Sequence, residues 1–209
     1  MLEGLKIKYG VIFNHKKVTR IMKKYNLKPE YIRRLRPNYN AKRQEENVQP
    51  NLVKRQFKTK GFNQIWCTDI TYLTFGNKRA YLSTIIDLFD RHVVAYQISK
   101  RNDIELVINT LNKALEIEKD VYGLILHSDQ GFQYTSVEYK VICASKGITI
   151  SMSRKGTPID DSPMESWHGI LKKETLYNNN ITSLEHYIQL VREWIAFYNS
   201  TRLKNRNLN

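Results

Sequence analysis

The chain has 209 residues, 41% hydrophobic and 26% charged, enough for one domain with a sizeable core plus a smaller extension. Lys and Arg number 34 against 20 acids, for a net charge of +14 and a pI near 9.7, a field that attracts nucleic acid. Two cysteines outside any C-x-x-C pair exclude a disulfide framework and a structural zinc site, and no run of about 18 apolar residues suggests a membrane span or signal peptide, so a cytoplasmic, nucleoid-associated protein is expected.

The charge is uneven. Residues 1–60 carry 17 Lys/Arg against 4 Asp/Glu, a balance of +13, and the rest of the chain is close to neutral. Residues 14–25 predict a short helix capped by Asn14, with Val18, Ile21, Met22 and Tyr25 on one stripe. Lys16, Lys17 and Arg20 on its other faces, with Arg33 and Arg34 further on, are candidates for DNA-backbone contact; a plain solvated helix is the alternative. Pro29, Pro37 and Pro50, among many charges and few aliphatics, give linker composition. The expected division is a basic helical DNA-binding segment over 1–40, a linker over 41–60, and a core with closing helices over 61–209.

Three strands rich in β-branched and aromatic residues are predicted over 65–75, 80–88 and 91–98, with turns at Gly76-Asn77 and Phe89-Asp90-Arg91. A helix over about 103–118 follows, then a buried strand over 123–127, a helix over about 136–146 and a short strand over 148–150. Helices over about 163–177 and 184–198 close the chain. This order predicts an α/β fold with a mixed five-stranded sheet flanked by helices.

Three acids stand out. Asp69 lies among apolar neighbours inside the first strand, where a charge is costly without compensation. Asp129 follows the strand 123–127, at the carboxyl end where α/β sheets place ligands. Glu165 falls in the first turn of the helix starting near Pro163. Gathered together, these carboxylates need a cation between them, and oxygen-only ligation suits Mg²⁺ or Mn²⁺. Each also has a local structural explanation. Asp69 can bond a neighbouring amide, Asp129 precedes a Gly-containing turn, and Ser162-Pro163-Met164-Glu165 matches a helix capping box.

The segments WCTDITYL (66–73), HSDQGFQYTS (127–136) and GTPIDDSPMESWHGILKKE (156–174) resemble the catalytic core of DDE insertion-sequence transposases, the type named after the third insertion sequence described, which shares its core with retroviral integrases. The resemblance covers about residues 10–200. It implies an RNase H-like fold, with Asp69, Asp129 and Glu165 as a catalytic triad binding two divalent ions. It also implies DNA partners, both transposon ends and target, and a homo-oligomer that pairs two ends. Lys172 matches the family's basic residue seven places after the glutamate and is a candidate for holding a DNA phosphate. His127 and Gln133 belong to the second motif and are expected to orient water or DNA beside the site. Asp161 stands where the family usually has Asn, and Trp167 where Phe is commoner. The match joins the family's helical DNA-binding segment partway and stops before its closing segment. A nuclease on the same fold and a truncated DNA-binding relic therefore stay open beside the transposase.

Overall fold

The computed structural model describes residues 14–27, 48–177 and 179–201 of the chain. Two compact units divide at Arg43 and Gln44. In the first unit, α1 (His15–Lys24) starts where the Asn14 side chain accepts a bond from the Lys16 amide, as its sequence predicts. Val18 alone on its apolar stripe is buried; Ile21 and Tyr25 are exposed, and Lys16, Lys17 and Arg20 all face solvent. Arg33 and Arg34 lie outside the described residues.

The second unit is built on a mixed sheet of β1 (Ile65–Phe75), β2 (Lys78–Asp87), β3 (Val93–Ser99), β4 (Ile125–Ser128) and β5 (Thr149–Met152). The spatial order is β3-β2-β1-β4-β5. The first three strands form an antiparallel meander; β4 runs parallel to both β1 and β5. Helices α2 (Ile104–Ile117), α3 (Val137–Ser145), α4 (Ser162–Lys172) and α5 (Leu184–Ser200) complete it. Asp103, Ser136 and Ser183 cap α2, α3 and α5 with their side-chain oxygens.

Alternation along β1 splits the core in two. Trp66 packs with Val107, Leu111, Leu126 and Cys143 on the α2/α3 face. Cys67 and Leu73 pack with Met164, Trp167, Leu171, Val191 and Ile195 on the α4/α5 face. Each fully buried large side chain on α4 contributes about 1.5–3 kcal/mol, so this face fixes the helix against the sheet.

Some boundaries differ from the sequence reading for local reasons. The strand expected from 91 starts at Val93, because Arg91 takes a positive φ of 64° and the His92 amide bonds Asp90 Oδ1. The strand expected from 123 starts at Ile125, because Gly123 (φ 80°) sits in a turn closed by the Leu124 amide on the Val121 carbonyl. The helix expected over 163–177 is α-helical only to Lys172 and continues as a π-helical turn over Lys173–Tyr177. There Thr175 Oγ1 bonds the Leu171 carbonyl, and Asn179 Nδ2 takes the carbonyls of Glu174 and Thr175.

Residues 48–60, read from composition as linker, are bonded to the core. The Met152 amide donates to the Pro50 carbonyl, the Leu52 amide donates to Ser151 Oγ at 2.9 Å, and Val53 is buried.

Candidate active site

Strand register sets the first two acids. Ile65, Trp66 and Cys67 of β1 pair with Ile125, Leu126 and His127 of β4. Asp69 and Asp129 each follow the last paired residue of that register by two positions, Asp129 just past the end of β4. Asp69 keeps the phase of Cys67, toward the α4 face.

Glu165 comes from the first turn of α4. Its capping-box explanation is not realised. The 3₁₀ turn Pro158–Asp161 runs directly into the helix, so Ser162 is already helical and Asp161 occupies the cap position without a side-chain cap bond. One turn beyond Glu165, His168 Nδ1 lies 3.5 Å from Asp69 Oδ2, tying α4 to β1.

A fourth acid reports on the other three. Asp161 is buried, and its Oδ1 has no hydrogen-bond partner among the described residues. Burial pushes its carboxyl well above the usual carboxylate range, and the charges of Asp69, Asp129 and Glu165 push it further. All three acids are therefore near enough to act on one buried side chain. The Tyr134 phenol is likewise raised, by burial and then by Asp69 and Asp129.

The carboxylates meanwhile hold local amides. Asp69 Oδ1 accepts from the Ile70 amide at 2.7 Å, and Asp129 Oδ1 from the Gly131 amide at 2.7 Å. Among the described residues, no three His, Cys, Asp or Glu side chains already stand at metal-ligand spacing. Asp69 and Asp129 thus each turn one oxygen to a backbone N–H.

Residues 60–158 and 146–205 match the two families described as integrase core domain. InsK of insertion sequence element IS150 from Escherichia coli strain K12 is 35% identical over 195 residues, covering 93% of this chain and 68% of InsK. The chain belongs to the insertion-sequence transposases. The transposase InsF for insertion sequence IS3A of Escherichia coli strain K12 is 33% identical over 177 residues, 84% of this chain and 61% of InsF. The HTLV-2 integrase catalytic core, solved in complex with magnesium in a trimeric form, matches with a TM-score of 0.54 at 20% identity, over 68% of this chain and 89% of that one. That likeness assigns the transposase the RNase H-like fold. As a member of its family the transposase is an enzyme that cleaves DNA and transfers strands. Among its described residues, no helix is long and apolar enough to cross a membrane.

The remaining expected site residues divide. His127 of the transposase is fully buried, with Nδ1 2.9 Å from Ser151 Oγ and Nε2 2.9 Å from the Asp160 carbonyl. Burial lowers its pKa against the opposing pull of that carbonyl, so the ring is neutral and both nitrogens are engaged by protein. It fixes the turn before α4 and has no nitrogen left to orient water or DNA. Gln133 is also buried; its Nε2 donates to Asn102 Oδ1 at 2.6 Å, holding the loop after Asp129 to the start of α2. Lys172 closes α4, two helical turns from Glu165 and half-buried. His168 and the bonding of Asp160 were missed in the sequence. The i, i+3 spacing of Glu165 and His168 is a signal that would have found the first.

Proposed function

We propose that Asp69, Asp129 and Glu165 form the metal-binding catalytic triad with which this transposase cuts DNA at insertion-sequence ends and joins the freed ends to target DNA. The observation carrying this reading is the parallel pairing of Cys67 with His127, two residues before Asp69 and Asp129 respectively, with the charges of all three acids acting on buried Asp161. An all-oxygen donor set, mutually repelling and beside an unsatisfied buried carboxyl oxygen, fits Mg²⁺ or Mn²⁺. Magnesium in the HTLV-2 integrase core supports the same choice. Divalent ions held there supply Lewis acidity for in-line attack on a phosphodiester, by water in cutting and by a DNA 3′-hydroxyl in joining.

The protein's own part is positioning. The Gly131 amide orients the Asp129 carboxylate, and His168 stands against that of Asp69. Neutral His127 holds the turn that delivers Glu165. Lys172 is about 700° and roughly 10 Å along the helix from Glu165, on the same face, where its ammonium can hold a phosphate of the element's end. Lys16, Lys17 and Arg20 on α1, and Arg33 and Arg34 beyond it, add backbone contacts that weaken with salt. Pairing two ends calls for a homo-oligomer, and the trimeric form of the HTLV-2 core is in keeping with that.

The test is a gel assay with labelled duplexes carrying the element's ends. Mg²⁺-dependent cutting and joining by the wild-type chain, lost on chelation and in Asp129→Asn, is expected. Equal products from Asp129→Asn would remove the triad reading; cutting without joining to a second duplex would leave a nuclease.

A further inference from the structure

We propose that Arg55 and Arg154 form a clamp for a DNA phosphate beside the carboxylate centre, aimed by the buried carboxylate of Asp160; this deepens and rests on the transposase reading above. The Asp160 side chain is wholly buried, yet five donor bonds reach it. Arg55 Nε donates to Oδ1 at 2.8 Å, Arg154 Nε to Oδ2 at 2.8 Å, and Arg154 Nη2 to Oδ1 at 3.1 Å. Asn51 Nδ2 and the Arg154 amide complete the set at 3.0 and 3.3 Å. These bonds hold the Asp160 carboxyl far below the usual carboxylate range.

Both arginines remain open to solvent, Arg55 at 46% and Arg154 at 60%. The Nη atoms of Arg55 and Nη1 of Arg154 have no acceptor among the described residues. Two guanidinium groups on one carboxylate leave an excess positive charge, with their planar forks already fixed at the Nε end. Such fixed forks suit a phosphate, whose oxygens accept from two donors at once and whose binding then costs little side-chain ordering. A pair serving only to neutralise Asp160 needs one arginine.

The clamp is tied to the site on two sides. The Asp160 carbonyl bonds His127, two residues before Asp129, and Gln130 Nε2 donates to the Ser153 carbonyl beside Arg154 at 2.9 Å. Asp160 itself adjoins Asp161, which senses all three acids. The clamp is thus joined to the segments that carry Asp129 and lead into α4, and we take a phosphate held there to belong to the strand that enters the carboxylate centre.

The experiment is fluorescence anisotropy of the full chain with a labelled duplex of about 20 base pairs, metal-free, between about 50 and 200 mM salt. The triple variant Arg55→Gln, Arg154→Gln, Asp160→Asn leaves no buried charge unpaired and changes net charge by one unit. Losing the one clamped phosphate lowers the slope of log affinity against log salt by about 0.9, so the fourfold salt rise weakens the variant about 3.5-fold less than the wild type. A slope lowered by less than about half that amount overturns the clamp. If circular dichroism shows the triple variant unfolded, Arg55→Lys with Arg154→Lys replaces it: several-fold weaker binding at an unchanged slope is expected, and wild-type affinity overturns the clamp. Mg²⁺-dependent cutting by the wild type together with an unchanged slope discards the clamp and keeps the transposase reading. The expected slope change without cutting in Mg²⁺ does the reverse.

Discussion

Replacing Asp160 with Ala removes the acceptor of five donors at once. In isolation, hydrogen bonds to a charged group contribute about 1.5–3 kcal/mol each. Most of that is regained here, because both guanidinium groups are roughly half exposed and rehydrate when released. What is not regained is the anchoring of residues 51–55 and the 3₁₀ turn, so the net loss is about 2–3 kcal/mol. For a chain of this size that corresponds to a fall in Tm of roughly 4–12 °C. Urea melts followed by circular dichroism should show it as a lower midpoint at an unchanged slope. The sign with pH follows from the depressed carboxyl of Asp160. Its stabilisation is present in full above the unfolded value near 4 and drains away as pH falls toward the lower native value. The gap between wild type and variant should therefore hold from pH 7 to 5 and close in acid. A gap under about 1 kcal/mol at pH 7, the worth of an exposed ion pair, refutes the idea that Asp160 organises the turn.

Three other perturbations have defined outcomes. Asp161→Asn removes a carboxyl whose native pKa is raised, so the wild type is handicapped increasingly as pH rises above the unfolded value near 4 and not at acid pH; the variant should melt about 1–3 kcal/mol more stably at pH 7 without metal, with the gain vanishing near pH 4. Melts of both proteins from pH 4 to 8 check this, and a gain that persists at pH 4 contradicts it. Gly131→Ala would put a Cβ 2.8 Å from Asp129 Oδ1 and 3.0 Å from Gln133 Oε1. Cutting should fall at least about tenfold for a stability cost of about 1–3 kcal/mol, and a wild-type rate would show that the Asp129 rotamer is not critical. Trp167 is buried against Trp194 and Tyr198, with its Nε1 unsatisfied among the described residues. Trp167→Ala should cost about 3–5 kcal/mol in a urea melt, whereas Trp167→Phe, which discards the orphan donor along with some volume, should stay within about 1.5 kcal/mol.

The sheet and its helices were legible in the sequence because β1 to β3 carry dense β-branched and aromatic runs with turn residues between them, and α5 shows an unbroken apolar stripe from Leu184 to Tyr198. The acids Asp69 and Asp129 were legible as candidates because one is out of place among apolar neighbours and the other sits at the carboxyl end of a buried strand. What escaped depends on partners far along the chain. Residues 48–60 look like linker because Asn51 and Arg55 meet Asp160 more than a hundred positions away. His127 looks like a site residue until Ser151 and the Asp160 carbonyl take both its nitrogens. The Ser162 capping box fails for a local reason no pattern of four residues records. The preceding 3₁₀ turn has already started the helix.

Titrating the metal-free protein with Mn²⁺ and following the free-ion signal by electron paramagnetic resonance tests the shared centre most directly. Wild type should take up the ion, and Asp69→Asn, Asp129→Asn and Glu165→Gln should each lose most of that uptake while melting as folded proteins. If the three variants bind Mn²⁺ as the wild type does, these acids do not hold the metal.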